Sequence, residues 1–561
     1  MHLTLRTRVS AALLAFGLAA PSAHAIELFV GQGPACNASS LSGAVATAAA
    51  NGPGPHTIWL SNEIAYDNQR VSIGDMNLTI RGIHGCDMFD DDFIVLNGDG
   101  TDSVLRIAGS AARTVTLTNL VIRGGRGTSG AGGGIRMTGA INVTLDNTVV
   151  RENTAERGGG IYVELPTGTT TGGQLTLLPG AVVEHNTATQ GSGGGIYAVG
   201  GHVRMHVSGT RVGNNTAAGA GGGIAILDGT FVSNGFVPQQ QYTADGAKIV
   251  SNTAGTIGGG LYVNGTSAVV YARELIVDSN KAATGGGGIF ASGGARVDLR
   301  RDTPPVLFGA YAIYCAAWHE CSRLSYNTVA QGAAGGYGAA LALSSGARAQ
   351  IVQTVVRNNL SADAPGMHVR TSTLWLEGVL FAGNHSVDSP TQGTAVIRAV
   401  YTPPEAVPQL RVAYSTFNGN TAMKSNGEVW PANDVIAQQN TGMELYAVAL
   451  FDSPYTPTAY GPYIDDCIVR GTGGGLGDPY GTHTRSAVVT SAGFNAASAF
   501  DFRLRSNSAL TDHCDQQVYV PEFRDLVLTP RCTDTPGKAD VHGRCDVGAY
   551  ESDHIFGNGY Q

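Results

Sequence analysis

The 561-residue chain carries 79 glycines and only 14% charged residues, which fits tightly stacked sheet better than a helical enzyme or a disordered tail. Its formal net charge is −9. Loss of Arg6 and Arg8 with an N-terminal signal, which holds no acid, takes it to −11. A lysine-poor, net-negative surface argues against nucleic acid as a partner and against charge-driven binding to anionic lipid.

Residues 1–25 read as an export signal. Arg6 and Arg8 precede an apolar run from Ala11 to Ala20, and Ala23-His24-Ala25 forms an A-x-A cleavage site before Ile26. That run is too short to span a bilayer, and no later stretch reaches ~18 uninterrupted apolar residues, so no transmembrane segment is expected. Eight cysteines follow in the mature chain: Cys36, Cys86, Cys315, Cys321, Cys467, Cys514, Cys532 and Cys545. An even number in an exported chain predicts disulfides, with the pairing open. Cys315 with Cys321 would pin a loop, and Cys514, Cys532 and Cys545 would staple the C-terminal end. Zinc is the weaker reading because there is no C-x-x-C pair.

Ile26 to Asp92 opens the fold. Leu41 to Asn51 predicts a short Ala-rich helix over the open end of a sheet, where unpaired strand edges invite aggregation. Thr57 to Leu60 predicts the first strand, and Asn77–Gly82, Phe93–Leu96 and Ser103–Ile107 the next ones. Thr114 to Arg123 then leads to the first glycine corner, Gly132-Gly133-Gly134-Ile135.

From there the chain repeats one phrase. Thr148 to Val163 gives a β-branched strand, a turn at Asn153, a small-residue bridge, the corner Gly158-Gly159-Gly160 and a second strand, Ile161-Tyr162-Val163. Copies follow at Asn186 with Gly193–Ile196, Asn215 with Gly221–Ile224, Asn252 with Gly258–Leu261, and Asn280 with Gly286–Ile289. The asparagines fall 33, 29, 37 and 28 residues apart, a period that marks a solenoid. Short runs rich in Val, Ile and Thr, alternating apolar and polar, are strands. Glycine allows close packing of successive coils at the corner. Asparagine tolerates left-handed angles and can hydrogen-bond from coil to coil. The expected fold is an all-β, single-stranded right-handed parallel β-helix with an N-terminal helical cap and a disulfide-stapled C-terminal end. Roughly a dozen coils would make a rod about 60 Å long.

The order of parts resembles secreted bacterial right-handed β-helix proteins with a choice-of-anchor type C-terminal region, of the pectin-lyase-like fold. The glycine-glycine-apolar repeats are similar to those of the chlamydial polymorphic outer-membrane proteins. The opening carries the resemblance in Cys36, Ser40-Leu41, Asn51 and Thr57-Ile58-Trp59-Leu60, with Ser42-Gly43 where the family has charged residues. The ending carries it in Leu504, Ser508 to Asp512, and Asp546-Val547-Gly548-Ala549-Tyr550-Glu551. These motifs imply the fold and say little about activity.

After Ala291 the repeat loosens. Asp302 to Arg323 interrupts it, Asn327 with Gly335-Gly336 is a degenerate copy, and Asn359, Asn384 and Asn420 are later turns. The expected organisation is a signal over 1–25, an N-terminal cap and first coils over 26–115, and the β-helix over 116–474 with lateral loops at 302–323 and 427–463. Last coils and a C-terminal cap take 475–552, and a tail 553–561. The alternating segments of a membrane barrel, which an autotransporter would need, are missing from this end.

A hydrolase of this fold needs paired carboxylates, and a lyase needs clustered acids for calcium with a basic proton acceptor. Here Asp465-Asp466 is the only Asp-Asp expected inside a coil, Asp90-Asp91-Asp92 falls in a turn, and the strands offer only scattered Glu152, Glu184, Glu274 and Asp278. Neither Gly-His-Gly nor Arg-x-Lys occurs. Asn97 to Asp102 hints at calcium but reads better as an ordinary turn. His319 beside Trp318 is a lone loop histidine. No catalytic residue, metal ligand or cofactor is therefore assigned.

A stripe remains. The residue after each corner's apolar position points outward: Tyr162, Tyr197, Ala225, Tyr262 and Phe290. Tyr162, Tyr197, Tyr262 and Phe290 are the candidate ligand-binding residues, since aromatic rings suit sugar faces. The competing reading is rings that merely stack and shield the sheet. The expected function is an exported, monomeric binding or adhesion protein at the cell surface or outside the cell, contacting a polysaccharide or cell-surface glycan. A polysaccharide lyase or hydrolase, and a passive spacer, are the alternatives.

Overall fold

The computed structural model describes residues 25–87, 90–166, 171–234, 246–301, 322–330, 336–387, 396–401 and 407–423, then shorter stretches between 429 and 551. It is a right-handed parallel β-helix. Each regular coil visits four sheets in turn, for example Asn142–Asp146, Val149–Arg151, Thr154–Arg157 and Ile161–Glu164, before the next coil begins at Gln174–Leu177. Stacking produces sheets of 16, 15, 11 and 12 strands. At ~4.8 Å per rung the 16-stranded sheet runs about 70 Å. The stack is thus longer than the repeat implied, because irregular coils before Asn153 and after Asn420 add rungs without its signature.

Alternation explains the core. In Ile161–Glu164, Ile161 and Val163 are fully buried while Tyr162 and Glu164 are half-buried on the outer side. Inward residues from successive coils join one apolar cluster running from Val30 to Ile468.

The asparagines form a single ladder. Asn153 Nδ2 donates to Asn186 Oδ1, Asn186 to Asn215, Asn215 to Asn252, Asn252 to Asn280 and Asn280 to Asn327, each at 3.0 Å. Asn327 continues to Asn359, Asn384 and Asn420. The asparagines themselves do not take the left-handed angle that their chemistry allows. The residue before each one does: Glu152, His185, Asn214, Ser251, Ser279, Tyr326 and Asn358 have φ of 52–56°, and Gly383 and Gly419 follow suit. That preceding bend aims the amide into the stack.

The glycine triplet has three separate causes, seen at Gly158-Gly159-Gly160. Gly158 is left-handed at φ +57°. A Cβ on Gly159 would lie 2.4 Å from the Thr187 carbonyl carbon, and one on Gly160 2.8 Å from Asn186 Nδ2. Where the motif degenerates, Ala339 and Ala340 take the last two places and both remain buried.

At the N-terminal end, Ser40 Oγ accepts from Gly43 N–H and starts the helix Leu41–Ala50. Leu41, Ala44, Val45 and Ala48 bury against the first rungs of the core. Cys36 bonds to Cys86 there. At the other end Cys467 bonds to Cys514 and Cys532 to Cys545. Cys315 and Cys321 lie outside the described residues, as do Trp318, His319 and most of the 302–323 segment. Among the described residues, no helix is long and apolar enough to cross a membrane.

The later part of the chain adds detail to the expectation. Strands are expected to alternate with loop over 427–463, and Val435–Ala437, Gly442–Tyr446 and Ala449–Leu450 are strands of three of the sheets. The stapled C-terminal segment also lies along the flank of the stack. Phe494, Phe502, Leu510, Leu526, Val547 and Tyr550 form a second apolar cluster with Val355, Leu380, Tyr414 and Val469, on the outer face of the 15-stranded sheet. Arg301 donates to the Leu526 carbonyl at 2.8 Å and Gln353 to that of Asp525 at 3.1 Å. Arg531 donates to the carbonyls of Gly548 and Tyr414, with its guanidinium 4.4 Å from the Tyr414 ring centre.

Candidate binding flank

Register puts the stripe in one row. On the outer side of the 12-stranded sheet, Arg106 pairs with Arg136, Arg136 with Tyr162, Tyr162 with Tyr197, Tyr197 with Ala225, Ala225 with Tyr262, and Tyr262 with Phe290. The row continues through Ala342, His368 and Arg398. One azimuth therefore reads from basic through aromatic to a mixed polar end.

The aromatic part divides into two pairs at Ala225. Tyr162 and Tyr197 are stacked with centroids 5.6 Å apart and planes 10° apart, whereas Tyr262 and Phe290 are 6.2 Å apart and tilted by 42°. Their exposure is unequal. Tyr197 is 7% exposed and Phe290 5%, while Tyr162 and Tyr262 are half-buried and can be reached. A glycine arm passes close to the backbone end of the residue at exposed and buried positions alike, as Gly258 does with Tyr262. A Cβ on Gly193 would lie 2.7 Å from Tyr197 Cβ, and one on Gly286 2.8 Å from Phe290 Cβ. Burial pushes the Tyr162 phenol up to about 12, helped by the Glu164 carboxylate it hydrogen-bonds and opposed by Arg136. Burial likewise raises Tyr197, against the pull of Arg157. Both phenols therefore stay neutral donors at ordinary pH.

At the basic end, Asp102 is almost fully buried between Arg106, with which it pairs closely, and Arg70 at 3.7 Å. This places the last acid of Asn97–Asp102 against two arginines. Asp99 instead accepts from the Thr101 N–H and hydroxyl, as an ordinary turn residue does.

At the far end lies a cluster that the sequence did not reveal. Tyr337 and Asp363 occupy equivalent positions one coil apart, just before the corner. The Tyr337 ring sits 4.5 Å from that of His368, and the Asp363 carboxylate lies 2.9 Å from Arg398 Nε. Burial, with Arg398 and Arg370 nearby, lowers His368 to about 3, so its imidazole is neutral. Burial raises Asp363, and Arg398 opposes that. The signal was weak because Asp363-Ala364-Pro365-Gly366 replaces the glycine triplet, and Ala364 takes the left-handed angle at φ +44°.

The other acids do not converge on this row. Glu152 follows and Glu184 ends a strand of the 15-stranded sheet, and they face Arg123, Arg151 and Arg211. Glu274 faces Arg301, Asp278 faces Arg323, and Asp466 pairs with Arg485. Asp91 pairs with Arg81, and Asp92 accepts from Asn62. A further outer row, on the 16-stranded sheet, stacks Thr57, Thr79, Thr116, Thr144 and Thr176. The recurrence of threonine in those strands was its only sequence signal. Compared with known proteins, the chain matches no protein-family model and no curated protein.

Proposed function

We propose that this is an exported β-helical binding or adhesion protein that grips glycans along the flank formed by the 12-stranded sheet. The observation that carries this reading is the in-register succession Arg106, Arg136, Tyr162, Tyr197, with Tyr262 two rungs further on. Half-exposed rings offer faces on which sugar rings stack, and neutral phenols and guanidinium groups donate to hydroxyls or carboxylates. The buried rings of Tyr197 and Phe290 act as supports that fix the exposed ones, so binding rests on Tyr162 and Tyr262. A glycan array with the mature protein tests this. Binding that falls at least tenfold in Tyr162→Ala and Tyr262→Ala, with the thermal midpoint little changed, is the expected result. A blank array removes the reading and leaves the passive spacer, and undiminished binding by both variants removes this row as the contact surface.

The paired cysteines at both ends support export, as does the A-x-A site before Ile26. Membership of the choice-of-anchor β-helix proteins is supported by linked hydrogen bonds among the motif residues of the C-terminal end. Asp512 N–H donates to Asp546 Oδ1 at 2.7 Å, and Asp546 N–H to Glu551 Oε1 at 3.4 Å.

The lyase or hydrolase reading is favoured only by the Tyr337, His368, Asp363 and Arg398 cluster. It sets a neutral imidazole beside a phenol and a guanidinium, but burial and a pKa of about 3 make that imidazole a weak base. Appearance of unsaturated ends on uronic-acid polymers, lost in His368→Ala, would replace the binding reading.

A further inference from the structure

We propose a calcium-binding site in the C-terminal segment, formed by Asp512, Asp534 and Asp540. It is independent of the glycan reading and lies on a different part of the molecule. Carboxylate oxygens from these three residues come within 4.8 Å of one another. Proximity of acids alone would mean little, but Asp512 adds a second observation. Its side chain is fully buried, and its Oδ2 has no hydrogen-bond partner among the described residues. A buried carboxylate oxygen without a donor is costly unless a cation faces it.

The protein's own cation in this loop lies near Asp512 without a hydrogen bond to its carboxylate among the described residues. Lys538 feels the Asp512 charge but donates its ammonium to the Ser508 carbonyl oxygen. The Asp512 carboxylate accepts from the Thr535 N–H through its other oxygen, Oδ1, at 3.2 Å. Asp534 and Asp540 are exposed, so they approach from the solvent side and leave room for water on the ion. Three carboxylates with backbone carbonyls and waters suit calcium, a hard cation that takes six to eight oxygen ligands in loose geometry. They suit zinc poorly, because no histidine or thiolate is present in the set. The other convergent group among the described residues, Cys36, Glu63 and Cys86, has both cysteines in a disulfide and is not a competitor.

The site would have a structural role. Val541 N–H donates to the Asp512 carbonyl at 2.9 Å, so the 534–541 loop already folds back over Asp512. A bound ion would clamp that loop from its exposed side, within the Cys532–Cys545 bridge. The sequence pattern gave no warning, because one ligand lies 22 residues before the other two begin and the loop carries no alternating acid motif.

Calorimetric titration of the chelator-treated mature protein with calcium chloride tests the proposal, with thermal denaturation in parallel. The expected result is about one equivalent bound with a dissociation constant on the order of 0.1–1 mM, the range of extracellular calcium modules, and a raised thermal midpoint. Asp534→Asn combined with Asp540→Asn changes only exposed side chains, so the variant folds. It should bind at least tenfold more weakly and lose the calcium-dependent rise. No binding up to ~10 mM calcium, or equal binding by the double variant, overturns the site.

Discussion

Asn215 Oδ1 accepts two hydrogen bonds from the coil before it, one from Asn186 Nδ2 at 3.0 Å and one from the Asn186 backbone N–H at 2.9 Å. Asn215 Nδ2 in turn donates to Asn252 Oδ1 and to the Val183 carbonyl. Every polar atom of this fully buried amide is used, and the same pattern recurs along the ladder.

Replacing Asn215 therefore strands several groups at once. Asn215→Leu leaves the Asn186 amide and N–H, the Val183 carbonyl and Asn252 Oδ1 each short of a partner. The expected destabilisation is about 3–5 kcal/mol, at ~1–3 kcal/mol per unsatisfied buried group with partial relaxation. Denaturant unfolding followed by circular dichroism measures it.

Glycines at the corners should respond according to contact and not according to residue type. Gly159→Ala drives a methyl to 2.4 Å from the Thr187 carbonyl carbon and should cost about 2–4 kcal/mol. A methyl on Gly74 would meet nothing within 4 Å, and the backbone there has no left-handed angle. Gly74→Ala should be neutral or stabilise by about 0.5 kcal/mol through the unfolded chain. Comparing the two unfolding midpoints tests the distinction.

Acid should weaken the fold in part through His368. Its folded pKa of about 3 lies below the unfolded value, so between these values the unfolded chain holds the extra proton. Stability from this group is full above pH ~6.5 and is lost progressively as pH falls toward 3. His368→Phe keeps a ring against Tyr337 and removes the titration. The stability lost between pH 7 and pH 5 should shrink by about 2 kcal/mol relative to the parent, read from denaturant melts at the two pH values.

Arg531 should decide whether the C-terminal segment stays on the flank. Its guanidinium is buried with the Glu551 carboxylate 3.8 Å away, and burial holds Glu551 well above the usual carboxylate range. Arg531→Ala removes the pairing and the carbonyl contacts together, at a cost of about 3–5 kcal/mol. Limited proteolysis should then cut near residues 494–551 first, leaving a core fragment that retains the β-helix spectrum.

The coil architecture was legible because each corner reuses the same side chains for the same job. Asn153 and Gly158-Gly159-Gly160 are fixed by their contacts with the next coil, so their recurrence reports the stack itself. The left-handed turn was not legible, since Glu152, His185, Ser251 and Tyr326 share no chemistry. Outward direction of the four aromatics followed from strand alternation. The burial of Tyr197 and Phe290 did not, because alternation fixes the direction of a side chain and not what packs beside it. Docking of the C-terminal segment was hidden for a different reason. Arg531 to Tyr414, Gln353 to Asp525 and Arg301 to Leu526 span 117, 172 and 225 residues, beyond any local pattern.

The asparagine chain also has an arrow. From Asn153 to Asn384 each amide nitrogen reaches forward to the oxygen of the following coil, so eight such bonds link nine amides head to tail through the protein's interior. The ladder is therefore polar, with donors aimed toward the C-terminal coils and acceptors toward the N-terminal ones.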